Sequence, residues 1–267
     1  MICINQRRFT TLATEETRRN GVTVARSPVT RAVGEPHQCS EETRLRVLRA
    51  VRWFKDLSED EIYSISRGIT SHAWSPDEYL QIEGDRADAL HVIAQGMAKV
   101  EKVSADGTTR IVDIAAPGDL VGVLPQLGAP VYTDSVATLS VTCALRIEAE
   151  LFTSIMLEHP SVAVNVVDDL AHKLARSRHS ETHGGRPVPQ RLADVLLMLM
   201  RKAGRRDNEG ILIDLPLSRV DLAAMAGSTP ESVSRTMSRW KSQGLIDSGR
   251  RWTRVLRPRE IHEIAGA

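Results

Sequence analysis

Near the carboxyl end of the 267-residue chain, Glu231, Ser234, Arg235 and Ser238 recur at spacings of three, four and seven, so on a helix they share one face. None is large and apolar. Arginine offers paired donors that fit the acceptors of guanine, glutamate accepts from the amino group of cytosine, and serine does either. The chemistry open to such a face is the reading of base edges in a polar groove. The opposite face carries Val233, Met237 and Trp240, which must bury against neighbouring elements.

The flanking sequence supplies those elements. Thr229-Pro230-Glu231 opens the helix with a capping residue, a proline in the first turn and an early acid. A shorter helix starts at Ser218-Arg219-Val220-Asp221 and ends at Gly227. Two helices around a glycine-containing turn of about four residues are the pattern of a helix-turn-helix. Upstream, Leu192, Val195, Leu199 and Ala203 mark a helix closed by Gly204, and Ile211, Ile213 and Leu215 alternate as a strand. Downstream, Leu245-Ile246 and Trp252 to Leu256 read as two strands around Ser248-Gly249-Arg250, a wing. Arg239, Lys241, Arg250, Arg251 and Arg254, with the hydroxyls of Ser218, Thr229 and Ser238, are candidate contacts to phosphate, which set position rather than sequence.

Four segments are expected along the chain. Residues 1–42, rich in Arg and Thr and broken by Pro28, Gly34 and Pro36, read as a flexible extension, with order beginning near Ser40. Residues 43–150 read as an antiparallel β-roll domain. Leu45, Leu48, Val51 and Phe54 have helical spacing, and Ser58 to Glu61 is a capping box. Short alternating runs then follow (Tyr79, Ile82; Leu90, Val92; Met97, Val100; Ile111, Ile114), divided by turns at Gly84, Gly107 and Gly118. Residues 151–185 hold a helix stopped at His159-Pro160, a long helix from about Ser161 to Ser180 and a hinge from His183 to Pro187. On the long helix Val164, Val167, Ala171 and Leu174 form a seam that either packs on its own domain or meets a second chain. Residues 186–267 complete a winged helix-turn-helix. The fold class is α+β.

The net charge of +1 is unevenly distributed. Residues 43–150 carry 11 Lys/Arg against 16 Asp/Glu, net −5, whereas residues 186–267 carry 15 against 9, net +6. A basic carboxyl-terminal third suits a polyanion. Three scattered cysteines form neither a C-x-x-C pair nor an iron–sulfur ligand set. Cys143, between Thr142 and Ala144, reads as a small core residue rather than a redox switch. No H-E-x-x-H, phosphate-cradling glycine loop or nucleophile–base pair is present, and Asp168-Asp169 reads as a solvated helix surface; neither a catalytic nor a metal site is expected. No run is long enough to span a bilayer and no secretory h-region is visible, so a reducing cytoplasmic setting is the default expectation.

In this order the elements resemble the Crp–Fnr superfamily of bacterial transcription regulators over about residues 45 to 265. Gly96 to Val100 (Gly-x-Met-x-Val), Pro117-Gly118-Asp119, the long helix and the stretch from Leu222 to Arg235 carry the resemblance. Glu231, Ser234 and Arg235 match the Glu-x-x-Ser-Arg pattern of Fnr-type recognition helices. The resemblance implies a cyclic-nucleotide-binding-like jelly roll, a homodimer joined by the long helix, and an operator with two-fold-related TTGAT-like half-sites. It implies Arg235 and Glu231 as chief base readers, Ser234 as their assistant, and a contact to RNA polymerase if the protein activates. The effector pocket would involve Val123, Thr133, Asp134 and Ser135. That stretch departs from the cyclic-nucleotide cassette, and Asp134 would oppose a cyclic phosphate. Two alternatives stand beside this reading: a ligand-independent regulator, and a haem-dependent gas sensor with His72, His91, His37 or Cys39 as axial ligand. Nothing in the spacing of those ligands is diagnostic, and His91 reads first as an ordinary part-buried histidine.

Overall fold

The alternating runs after Thr70 form two facing antiparallel sheets. The computed structural model describes residues 35–36, 39–104, 106–124, 128, 130–181 and 185–266, apart from the side chains of 35–36 and 173–181. With strands numbered in chain order, one sheet runs β1 (Glu35–Pro36), β2 (Thr70–Trp74), β9 (Thr142–Glu148), β4 (Ala89–Gln95), β7 (Leu120–Val121). The other runs β3 (Tyr79–Gln81), β8 (Ser135–Thr138), β5 (Ala98–Val103), β6 (Thr109–Ala115). Strands β4 and β9 are buried on both faces. Ile93 and Ala144 point into the roll with Trp74, Val121 and Val136, while Leu90, Val92, Cys143, Leu145 and Ile147 point to covering helices. Gly96 is at φ +83°, and a Cβ there would lie 2.4 Å from the Val141 carbonyl oxygen, so only glycine fits that tight turn.

The covering helices are α1 (Glu41–Ala50), a 3-10 turn (Arg52–Phe54), α2 (Glu59–Ser66), α3 (Ala149–Glu158) and α4 (Pro160–Glu181). Ser58 and Glu61 make the reciprocal capping box that opens α2. Phe152 on α3 anchors this core against Trp53 (5.5 Å between ring centroids) and Phe54 (6.3 Å). The inner face of α4 is fixed to the same turn. Val162 and Val166 are buried, Asn165 Nδ2 donates to Asp56 Oδ2 (2.8 Å) and to the Trp53 carbonyl (3.2 Å), and Trp53 Nε1 donates to Asp169 Oδ2 (3.2 Å). Asp169 is therefore a buried acceptor, not the solvated carboxylate expected from its place beside Asp168.

Ser40, where order was expected to begin, caps α1, and one short pairing precedes it, Glu35 and Pro36 with Ala73 and His72. The rest of the expected flexible extension, residues 1–34 and 37–38, and the hinge residues His183 and Gly184 lie outside the described residues.

The carboxyl-terminal part comprises α5 (Val188–Ala203), β10 (Gly204–Asp207), β11 (Gly210–Ile213), α6 (Arg219–Ala226), α7 (Pro230–Ser242), β12 (Ile246–Gly249), β13 (Trp252–Val255) and α8 (Pro258–Ala265). Its sheet runs β10-β11-β13-β12. Its core is continuous with the roll, because Ile111 and Ile114 of β6 and Leu139 join Leu192, Leu196, Leu199, Leu222 and Trp240 in one apolar cluster. Ion pairs border this contact. Lys202 Nζ reaches Asp113 (3.0 Å) and Asp119 (2.9 Å), and Lys99 reaches Asp221 (3.3 Å). Although burial opposes its charge, the two aspartates hold the Lys202 ammonium above its ordinary pKa. Among the described residues no helix is long and apolar enough to cross a membrane.

His91 sits inside the roll, 3% exposed and edge-on to Trp74 (5.8 Å). Burial pushes its imidazole down to about 3, with Arg146 and His72 acting the same way and Asp88 opposing. The unfolded imidazole takes its proton near pH 6.5 and the folded one does not, so stability present above that pH is lost as pH falls toward 3. Urea unfolding should therefore show a loss of about 2 kcal/mol between pH 6.5 and 5 from this residue, reduced by that amount in His91→Leu. The same pH slope in both proteins would refute the assignment.

Candidate nucleic-acid interface

Helices α6 and α7 are joined by a turn of three residues, Gly227 to Thr229, one fewer than expected. Ser218 opens α6 with a second capping box: Asp221 N donates to Ser218 Oγ (3.1 Å) and Ser218 N donates to Asp221 Oδ2 (2.8 Å). Gly227 ends it at φ +57° in the left-handed region, where a side chain would also meet Arg110 Nη2 at 3.2 Å from Cβ. Thr229 Oγ1 then accepts from Ser232 N (3.3 Å) as the cap of α7. Val233, Thr236, Met237 and Trp240 are buried on α7, against Leu222, Ala223 and Ala226 of α6 and Leu196 and Leu199 of α5.

That burial fixes which face points outward. Glu231, Arg235 and Ser238 are exposed and Ser234 is half-buried. The Glu231 carboxyl is held below its usual range by its own backbone N–H, then by the Thr229 hydroxyl, with Arg235 adding a smaller effect. Arg235 Nη2 donates weakly to Ser232 Oγ (3.5 Å), one turn back. A carboxylate and a guanidinium group thus stand one turn apart at the start of a helix.

The proposed phosphate contacts divide. Arg239 on α7 and Arg250 and Arg251 at the wing tip are exposed, and Ser218 and Thr229 serve as caps. Lys241 turns back to the wing, pairing with Asp247 (2.7 Å) and donating to the Ser248 carbonyl (3.1 Å). Arg254 does not fit its expected role. It pairs with Asp207 (2.8 Å) and with Glu209, both from the β10–β11 hairpin, so its charge is neutralised within the fold. The first strand of that hairpin is invisible in the sequence, and so is the fate of Arg254. Sequence reasoning also missed Arg219, whose Nη1 contacts Met237 Sδ (2.7 Å) and whose Nη2 donates to Ser248 Oγ (3.2 Å). It ties α6 to α7 and to the wing. Only its position after a capping serine hinted at it.

In the roll, Val123 is half-buried, Thr133 is exposed, and Ser135 Oγ accepts from Glu83 N (2.9 Å). Asp134 accepts from the buried Gln81 amide (2.9 Å) and from the Thr133 hydroxyl (3.2 Å). Burial raises its pKa above the ordinary value. His72 and His91 share the inner face of the sheet, whereas Cys39 packs in the cluster on the helix side, so the structure does not bring these candidate haem ligands together. His37 lies outside the described residues. Among the described residues no three His, Cys, Asp or Glu side chains group as a metal site would require.

Removal of the α7 cap, Thr229→Ala, should cost about 1 kcal/mol in urea unfolding, with Thr229→Ser restoring most of it. Equal stability of all three proteins would mean that the cap is not used.

Comparison with known proteins agrees with this architecture. The Crp-like helix-turn-helix domain family matches residues 190–264, and the cyclic nucleotide-binding domain family matches residues 72–159. The chain is 26% identical over 216 residues (79% of this chain, 94% of the relative) to the probable transcriptional regulator flp of Lacticaseibacillus casei. It is 26% identical over 195 residues (73% and 80%) to the transcriptional activatory protein AadR of Rhodopseudomonas palustris. The fold is similar to that of FixK2 from Bradyrhizobium japonicum, with TM-score 0.65, 24% identity, and coverage of 74% of this chain and 98% of that one. With the roll, the shared core and an outward polar helix in place, the chain belongs to the Crp/Fnr family of DNA-binding transcription regulators, which are not enzymes.

Proposed function

We propose that the protein binds, as a homodimer, a two-fold-related operator with TTGAT-like half-sites, and that it does so without cAMP. The observation that carries the reading is the outward face of α7. Arg235 is free to donate two hydrogen bonds to guanine and Glu231 to accept from cytosine, while Val233, Met237 and Trp240 anchor the helix from behind. Ser234 assists from beside them. Arg239, Arg250 and Arg251 supply the sequence-independent attraction to phosphate, and Ser218, Thr229, Ser238 and Lys241 lie along its edges.

Dimerisation is supported by the outer face of α4. Val164 is 67% and Val167 64% exposed, with Leu170 and Ala171 beside them, on a helix whose inner face is already packed. Such a stripe is what a second α4 would cover; the side chain of Leu174, the last residue of the expected seam, lies outside the described ones. Independence from cAMP rests on Asp134, an acid engaged with Gln81 and Thr133 in the stretch where a cyclic phosphate would need donors. A dimer that activates would also contact RNA polymerase.

Sequences selected from random DNA should be two-fold-related, and Arg235→Ala should lose about 1–3 kcal/mol at a single base position. Arg251→Ala should weaken every sequence alike and lower the salt slope by about one. Equal losses on all sequences from Arg235→Ala would remove its role as a base reader. Val167→Lys should shift the protein from dimer to monomer in sedimentation at micromolar concentration, and a dimer that persists would place the interface elsewhere.

A further inference from the structure

On the helix side of the first sheet lie two thiols that reading DNA does not use. β1 lies along β2 with Glu35 opposite Ala73, and Ala73 in turn is registered with Cys143 of β9. Cys39 N donates to Ser71 Oγ of β2 (3.3 Å), directly before Ser40 caps α1. Cys143 points to the helix side with Leu145 and Ile147, and Cys39 packs against that same apolar cluster. The two thiols are neighbours at the edge of that cluster. Cys39 is partly exposed and Cys143 is buried. Burial, with the neighbouring Cys39 thiol adding to it, pushes the Cys143 thiol up to about 12, so it stays protonated and Cys39 is the sulfur that meets an oxidant.

We propose that Cys39 and Cys143 form a dithiol that a peroxide closes to a disulfide and a small thiol reopens, and that its state sets the protein's affinity for DNA. The chemistry balances with hydrogen peroxide as the oxidant. Cys39 sulfur attacks one peroxide oxygen, the O–O bond breaks, and Cys39 sulfenic acid forms with release of water. Cys143 sulfur then displaces the hydroxyl from Cys39, its thiol proton leaving with that hydroxyl as a second water. Two sulfurs have lost one electron each and the peroxide has gained two. The bond brings the sulfurs to about 2 Å, closer than any thiol–thiol contact.

That shortening acts on the seating of the helices. Cys39 directly precedes the Ser40 cap of α1, and the cluster around Cys143 includes Val47 and Leu48 of α1, Phe152 of α3 and Val162 and Val166 of α4. A close-packed cluster transmits such a pull rather than absorbing it. It reaches α4, whose other face presents Val164 and Val167. The effect on DNA affinity rests on the proposed dimer reading; the disulfide does not.

The test uses the full-length, fully reduced protein treated with equimolar hydrogen peroxide, alkylated, digested without reductant and analysed by mass. A Cys39–Cys143 linked peptide is expected, with two of the three thiols lost and both recovered on reduction by dithiothreitol. Cys39→Ala and Cys143→Ala should each abolish the link, alanine being a small residue the core accepts, and Cys3→Ala should keep it. Free thiols at both positions, a link through Cys3, or sulfinic acid accumulating on Cys39 without a link would overturn the dithiol. Oxidised and reduced protein should differ at least about fivefold in affinity for the selected operator, a difference absent from Cys143→Ala. Equal affinities of linked and reduced protein would overturn the regulatory half. Failure of both forms to bind any operator, with the linked peptide present, would instead sink the DNA-binding reading and leave the dithiol in place.

Discussion

Trp240, Met237 and Val233 have to be out of water, and that constraint orients the recognition helix. All three are almost fully buried, and burying side chains of this size is worth roughly 1.5–3 kcal/mol each. A helix turned by half a revolution would expose them and bury Glu231 and Arg235 without partners, a cost of several kcal/mol per charge. The outward direction of the polar face follows from this burial, not from attraction to any ligand. The caps at Thr229 and Ser218, the left-handed Gly227 and the brace from Arg219 fix the position of the helix once its rotation is set.

Features carried by local patterns were legible from the residues alone. Helix starts announce themselves within four residues, and the capping box at Ser58 and the helix start at Ser218 are where their patterns placed them. Alternation located β3, β4, β5 and β6 of the roll, each of which has an inner face to cover. β10 could not be found that way: Gly204–Asp207 is glycine and charged residues, exposed except for the half-buried Asp207, and it has no apolar face. α8, of eight residues, has little apolar surface beyond Ile261, Ile264 and Ala265.

In the candidate site, the sequence spacing of Glu231, Ser234 and Arg235 anticipated their common face, because helical geometry alone places them there. The fate of Arg254 was illegible, because Asp207 and Glu209 lie more than forty residues away in sequence and reach it only through sheet pairing. The meeting of Cys39 and Cys143 at one apolar cluster is of the same kind. It depends on β1 lying against β2, two residues of pairing that no periodicity signals. Long-range ion pairs and thiol contacts are properties of topology, and topology is what a linear pattern carries least of.

The continuous core between roll and reader has a mechanical corollary. Ile111 and Ile114 on β6 are sealed by the carboxyl-terminal helices, and Lys202 and Lys99 fasten the rim of that contact. Sliding the reader by an ångström or two would open gaps too small for water and strand Asp113 and Asp119 without their cation. Small displacements from the observed placement are therefore disfavoured. The apolar seal and the lysine pairs must give way together for the reader to leave this place, so the contact acts as a single latch rather than a sliding surface.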